Sequence, residues 1–392
     1  MQQRKAEFMR VSLAVFGVFH HFELAHQLRQ HGHLQKIYST FPWFRLKREG
    51  LPHEFVETFP WYHTGVSALA RYGLYPSPWT ETLDWWNGLA FDAWLKRRIP
   101  ETDALIAIAG AGLAAGRLVQ SHGGKYICDR GSTHARYRGR VLQDEYDRWK
   151  TPLKLYDLRD TQREEEQYAI SDCITVPSSY AARSFVAEGI SAEKLYIIPY
   201  GVRLDSFRPT DQPPLDALEV VFVGQINLNK GIPYLLEAFA RLRHPRKRLR
   251  LVGAVQPEIR SLLHKMPLEC VEFCGFAARR ELAQYFSTSH ALVLPSIDEG
   301  LALVQAEAMA CGCPVIATTN TGAEDLFTDG KEGFIVPIRD PQALADRMQL
   351  LADDPQLQQR MRAAALERVQ TLGGWKDYGD RWAHLLEELC GT

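Results

Sequence analysis

The stretch Leu292–Ala317, LVLPSIDEGLALVQAEAMACGCPVIA, constrains the fold of this chain more than any other. An apolar run ends at Leu294, a polar turn covers Pro295 to Gly300, a small-residue segment carries Glu307, and a second apolar run fills Pro314 to Ala317. This order reads as strand, loop, helix, strand, the unit of a parallel sheet. Ligands of such sheets collect at the carboxyl ends of the strands, where this reading puts Glu299 and Gly300. A helix starting near Leu301 to Leu303 aims unpaired backbone N–H groups at the same place, a seat for phosphate. Glu299 then belongs to the loop and Glu307 to the helix. A carboxylate among those N–H groups accepts hydroxyls from a sugar, although an isolated acid pair at this spacing is more often a solvated face.

The same alternation of strands and helices runs through the rest of the chain. Val11 to Phe16 reads as a buried strand, followed by Gly17, a loop with His20 and His21, and a helix from about Phe22 to His31. Phe41 to Trp94 holds Trp43, Trp61, Trp79, Trp85, Trp86 and Trp94 together with the basic run Arg45 to Arg48. Sugar rings stack on aromatic faces, and such a segment also suits a membrane surface; packing of a local core explains it equally well. The strand Asp103 to Ile108 leads into Gly110-Ala111-Gly112-Leu113-Ala114-Ala115, with Asp129 closing the next strand. This matches a dinucleotide fingerprint, so an NAD-dependent oxidoreductase is the rival reading; a tight strand–helix turn is the simpler one. Asp129 opens a polar loop running through Arg130 to His134, with Ser132 as a candidate helix cap.

Asp211-Gln212-Pro213-Pro214 reads as a linker. After it, the strand Glu219 to Gly224 is followed by the loop Gln225 to Gly231 and a helix with Ile232, Leu235, Leu236 and Phe239 on one face. Arg241, Arg243, Arg246, Lys247, Arg248 and Arg250 form a basic cluster that reads as a solvated helix end and loop.

Composition excludes several classes. The 392 residues suffice for two or three domains, and 46% hydrophobic residues supply cores for them. A net charge of -1 gives no pull toward nucleic acid. Seven cysteines without paired CxxC spacing read as packing residues, with no disulfide framework and no zinc site. The basic head and apolar run from Val11 to Phe19 mimic a signal peptide without a small-residue cleavage site, and no apolar stretch reaches the ~18 to 20 residues of a membrane span. A cytoplasmic protein is expected, with peripheral contact at the inner face of the membrane through segment 41–98.

The pattern PS-x-x-EG, then Glu307-Ala-Met-Ala, then the Gly-x-Pro-Val-Ile-Ala that ends at Ala317, resembles glycosyltransferase family four, the retaining, nucleotide-sugar-dependent enzymes of GT-B fold. The resemblance runs from Val220 to about Asp340 and more thinly over Ser171 to Pro209. It implies an α/β architecture of two Rossmann-like domains facing a central cleft: an acceptor-side domain over 1–208, a nucleotide-sugar domain over 209–374, and a helix over 375–392 crossing back. It implies that Lys230 and the N–H groups of Gly300, Leu301, Ala302 and Leu303 hold the phosphates of a nucleoside-diphosphate sugar. Glu307 would bind the ribose, Glu299 the transferred sugar, and Phe276 would line the base pocket. Gly17 would approach the donor or acceptor. Gly224 and Gln225 stand where the family has Gly-Arg, so one phosphate-binding cation is missing. Asp129 or His134 would lie near the reacting centre, with Arg130 reaching a phosphate; Cys128-Asp129 replaces the more usual His-Asp. The implied reaction moves a hexose to a hydroxyl of a glycan or glycolipid in polysaccharide or cell-envelope synthesis, with no permanently bound cofactor and no required metal. A sugar-nucleotide epimerase is the alternative within the fold.

Overall fold

The computed structural model describes residues 8–61, 65, 80–153 and 158–391. Thirteen described strands form two all-parallel sheets. The first contains β1 (Val11–Val15), β2 (Leu34–Ser39), β3 (Val56–Thr58), β4 (Ala104–Ile108), β5 (Lys125–Asp129), β6 (Cys173–Val176) and β7 (Leu195–Ile197), in the order β3-β2-β1-β4-β5-β6-β7. The second contains β8 (Leu218–Val223), β9 (Lys247–Val252), β10 (Val271–Gly275), β11 (Ala291–Leu294), β12 (Val315–Thr318) and β13 (Gly333–Val336), in the order β10-β9-β8-β11-β12-β13. The central strands β1, β11 and β12 are buried along their whole length, as strands covered by helices on both faces must be.

Each sheet reverses its direction of growth once, between β1 and β4 in the first and between β8 and β11 in the second. At such a switch point the loops leaving two neighbouring strands part in opposite directions and leave a crevice. Both crevices open into one cavity. The chain passes between the sheets over residues 198–217 and returns where Gly373 lies against the first passage: its carbonyl accepts from the Val202 N–H at 3.2 Å. The last helix, Trp375–Cys390, then packs on helix His21–Gln30, with Gly379 so close to Gln27 that an added Cβ would lie 2.4 Å from the Gln27 Cβ. Trp382 and Tyr378 fill that seam, both fully buried.

Two local readings need correction. The basic cluster does not lie on a helix end and loop throughout, because Lys247-Arg-Leu-Arg-Leu-Val alternates with period two and forms β9. There Arg250 pairs with Glu219 at 3.1 Å, and Lys247 caps the preceding helix by donating to the carbonyls of Phe239 and Leu242 at 3.0 and 2.8 Å. The cap of helix Ala135–Arg148 is His134, whose Nδ1 accepts from the Arg136 N–H at 3.2 Å, and not Ser132. The aromatic segment divides: Trp94 packs with Phe59 and Phe91 in the core, Trp85 lines the cavity, and Trp61 and Trp86 are exposed. Trp79 lies outside the described residues. Among the described residues no helix is long and apolar enough to cross a membrane.

Candidate active site

The cavity between the sheets measures about 750 Å³. The second sheet contributes Gly224, Gln225, Asn229 and Lys230 from the loop after β8, and Glu299 and Gly300 from the loop after β11. The first sheet contributes Phe16, Phe19 and His20 after β1, Ala109 and Gly110 after β4, and Arg130 to Ser132 after β5. The loops after β1, β4, β8 and β11 leave the carboxyl ends of strands that flank the switch points, and the loop after β5 lies one strand further along the first sheet, which is why they meet.

Lys230 Nζ is paired with Glu299 Oε1, and the Ser296 hydroxyl donates to the same oxygen at 3.0 Å. Gly231 after the lysine has φ +65° and lies against Pro295; an added Cβ would come within 2.0 Å of the Pro295 carbonyl oxygen. That contact locks the lysine loop onto the loop carrying Glu299. Helix Leu303–Ala310 follows, and no side chain caps its first turn at Ala302. The Ala302 N–H donates to the Thr321 carbonyl at 3.3 Å and the Gln305 N–H to the Ala302 carbonyl at 3.1 Å, so Ala302 is not an open phosphate donor; of Gly300, Leu301, Ala302 and Leu303 only Gly300 lines the cavity.

Glu307 lies on this helix but not on the cavity wall. Burial pushes its carboxyl up to about 7, against the opposing pull of Arg279 and Arg203, and no hydrogen bond to it is made among the described residues. A mostly buried acid without a donor is costly to keep ionised, and two vicinal hydroxyls would relieve that cost.

Across the cleft, His20 Nε2 lies 2.6 Å from Asp129 Oδ2, and the Thr175 hydroxyl donates to Asp129 Oδ1 at 2.8 Å. The His20 ring packs on Tyr200 with centroids 4.6 Å apart, so both its edge and its face are fixed. Although burial opposes ionisation, His20 and the Thr175 hydroxyl hold the Asp129 carboxyl below its ordinary value. His21 is fully buried and burial pushes its ring down to about 3, which keeps it neutral. Its Nε2 lies 3.2 Å from Asp129 Oδ2 without the alignment of a hydrogen bond. His20, His21 and Asp129 place three donor atoms within 4.8 Å of one another. The 2.6 Å His20–Asp129 separation is a hydrogen bond, shorter than the ~3.3 Å between two ligands on a tetrahedral ion.

Other candidates fall elsewhere. His134 is wedged between Tyr168 and Phe185, each ring centroid 5.0 Å away, and does not line the cavity. Gly17 is held by Ser39 and Thr40 and likewise stands off the wall, whereas its neighbours Phe16 and Phe19 form part of it. Phe276 is 92% exposed and outside the cavity lining. Arg130 lines the cavity, its Nη1 2.7 Å from Glu164 and its Nε donating to the Thr133 carbonyl at 3.0 Å.

The fingerprint-like glycines do not offer a seat for pyrophosphate. The N–H groups of Ala114 and Ala115, at the start of helix Leu113–Ser121, donate to the Asp92 carboxylate at 2.8 and 3.2 Å. An acidic side chain already fills the anion position, and Arg163 pairs with it from behind.

Sequence reading missed Asp298. Its side chain is fully buried, and it accepts from the Thr133 hydroxyl at 2.9 Å, the Tyr180 hydroxyl at 2.9 Å and Arg138 Nη1 at 2.6 Å. All three donors come from the first sheet's half of the molecule, so Asp298 ties the two halves together beside Glu299. The one available signal was a second acid directly before Glu299 in a loop between buried strands.

Two parallel α/β layers with a shared cavity at paired switch points define the GT-B class. Sequence comparison agrees: residues 18–206 match the family described as Glycosyltransferase Family 4, and residues 205–368 match glycosyl transferases group 1. The chain belongs to this glycosyltransferase family. Curated relatives include the D-inositol 3-phosphate glycosyltransferases of Streptomyces avermitilis, 34% identical over 203 residues (46% of this chain, 44% of the relative), and of Kribbella flavida, 31% identical over 233 residues (54% and 55%). The chain thus spans about half the length of the curated relatives it matches. Among solved structures, sucrose-phosphate synthase from Thermosynechococcus elongatus superposes with a TM-score of 0.72 at 22% identity, covering 97% of this chain and 99% of that one. Anabaena Alr3699/HepE in complex with UDP gives 0.72 at 17% identity, covering 97% and 100%. These likenesses establish the fold.

Proposed function

We propose that the chain transfers a hexose from a nucleoside-diphosphate sugar to a hydroxyl of a glycan or glycolipid, with retention of configuration, in building a polysaccharide or cell-envelope glycan. The observation that carries this reading is the shared cavity: Lys230, Glu299 and Gly300 face His20 across it, with Asp129 buried behind His20. On this reading the diphosphate takes Lys230 and the Gly300 amide, a charge-assisted arrangement that stabilises the leaving group as its bond to the sugar breaks. Glu299, released from Lys230, accepts hydroxyls of the hexose, and Glu307 accepts those of the ribose. His20, oriented by Asp129, meets the sugar or the acceptor hydroxyl. Retention rests on family membership, and the phosphate contacts named here call for no metal ion.

The far lobe of the cavity supports a neutral acceptor. The curated relatives are named for an inositol phosphate and the solved synthase for a sucrose phosphate. Here Arg130 is engaged by Glu164 and Arg163 by Asp92, while Asp84, Asp160, Trp85 and Phe16 complete that wall. This lining suits hydroxyls and sugar faces better than a phosphate. The exposed Trp61, and the exposed Phe44 that precedes the basic run Arg45 to Arg48 in sequence, support contact with an anionic membrane surface; failure to sediment with anionic liposomes at low salt would reject that contact.

The test is incubation with UDP-, GDP- and ADP-hexoses and a panel of neutral glycosides, with and without EDTA, following nucleotide release and the anomeric configuration of the product. One donor is expected to turn over, unaffected by EDTA, giving a retained linkage. No turnover with any donor and acceptor pair sinks the transferase reading. An inverted product removes retention, and loss of activity with EDTA removes metal independence.

A further inference from the structure

The donor reading leaves a charge deficit. A nucleoside diphosphate brings at least two negative charges, and among the described residues the second sheet's cavity wall offers a single cation, Lys230, itself opposed by Glu299. Gln225 is exposed on that wall and donates without charge. The balance must come from the facing half, whose described cavity-lining cations are Arg130, Arg138 and Arg163.

These three are not equivalent. Arg163 presents Nη2 to Asp92 and Nε to the Gly110 carbonyl, and Arg130 presents Nη1 to Glu164 and Nε to the Thr133 carbonyl. Each is held through two nitrogens on the acceptor side. Arg138 is held through Nη1 alone, 2.6 Å from Asp298 and 3.5 Å from the Ser132 hydroxyl. Its Nε and Nη2 make no hydrogen bond among the described residues, although the side chain is only 19% exposed. Asp298 also accepts from Thr133 and Tyr180, so it anchors the guanidinium without depending on it as sole partner. Asp298 directly precedes Glu299 and Gly300, and the anchored fork lines the same cavity as those two residues.

We propose that Arg138, reaching across the cleft from the acceptor-side half, binds the donor diphosphate and supplies the cation that Gln225 lacks. This rests on the nucleotide-sugar reading above. A guanidinium fixed at one corner and open on two nitrogens is preorganised for bidentate contact with phosphate oxygens. It would also make donor binding depend on closure, since one phosphate ligand would come from each half.

The test compares binding of UDP, GDP and ADP, and of the corresponding nucleosides, to the wild type, Arg138→Gln, Gln225→Arg and the double variant by calorimetry. Arg138→Gln is expected to weaken the diphosphate roughly ten- to a hundredfold while leaving the nucleoside unchanged, and Gln225→Arg in that background to restore most of the loss. Wild-type affinity in Arg138→Gln, an equal loss for nucleoside and diphosphate, or no rescue would each overturn the assignment. Arg138→Lys keeps a cation on Asp298 but removes the fork; it should lose roughly tenfold on the diphosphate, and unchanged affinity overturns the proposal even where the glutamine variant does not fold. Absence of diphosphate binding to the wild type overturns the donor reading and this proposal together, whereas the other outcomes bear on Arg138 alone.

Discussion

At the scale of single residues, Glu307 is the group whose chemistry is most exposed to test. Its carboxyl sits at about 7 because it is buried without a donor. A carboxyl raised in the folded state binds a proton that the unfolded chain has already released. Its contribution to stability therefore falls as pH rises from its ordinary value near 4.5 through about 7. Glu307→Gln should remove that decline and be the more stable protein at pH 8, as chemical denaturation at several pH values will show. Nucleotide binding should run the opposite way: ribose hydroxyls donate to the ionised acid, so affinity rises through pH 7 in the wild type and stays flat in the variant. A pH-independent wild-type affinity would remove the ribose role. That Glu299 stands in the loop after a buried strand and Glu307 on the following helix was legible in the sequence, because both follow from local spacing; Lys230 came from the family resemblance, and the structure pairs it with Glu299. His20 with Asp129 was not, because 109 positions separate them and only the packing of β1 beside β5, across β4, brings them together.

At the scale of elements, the loop after β11 is the most constrained piece. An added Cβ on Gly300 would lie 2.2 Å from the carbonyl oxygen of Gly131 in the opposite half, so any side chain there pushes the two walls apart. Gly300→Ala should leave far-ultraviolet circular dichroism unchanged, since each sheet keeps its own core. Transfer should fall roughly a hundredfold, the order expected when reacting groups are misplaced by about an ångström. Full activity in Gly300→Ala would show that this approach is not part of the working state. The strand–helix alternation was readable because parallel strands are near-continuous apolar runs separated by amphipathic segments. The glycines after β4 show the limit of such reading. They carry the spacing of a dinucleotide site, yet the deciding residue is Asp92, on another helix.

At the scale of the whole molecule, two buried acids hold the halves together. Asp298 is one; Glu145 is the other, accepting from Arg339 Nε at 2.6 Å across the cleft and from Trp149 Nε1 at 2.8 Å. Asp298→Asn combined with Glu145→Gln should enlarge the radius of gyration of the free protein in small-angle scattering, and a nucleotide-sugar should reverse much of the change. An unchanged radius would show that the remaining contacts, among them Ser179 with Asp325 and Arg183 with Glu324, hold the interface without these two acids. None of these pairings could be read from sequence, since a buried cross-domain acid looks like any loop acid until the two sheets are placed.

On the proposed donor reading, the Lys230–Glu299 pair makes donor capture an exchange of partners. An incoming phosphate takes the lysine only by leaving the glutamate without its counter-ion, and a sugar carrying hydroxyls is what can accommodate that orphan. A bare nucleoside diphosphate satisfies the lysine and strands the acid; the intact donor satisfies both. On that reading one ion pair would give the free enzyme a preference for loaded over spent nucleotide, and the same pair would re-form as the product leaves.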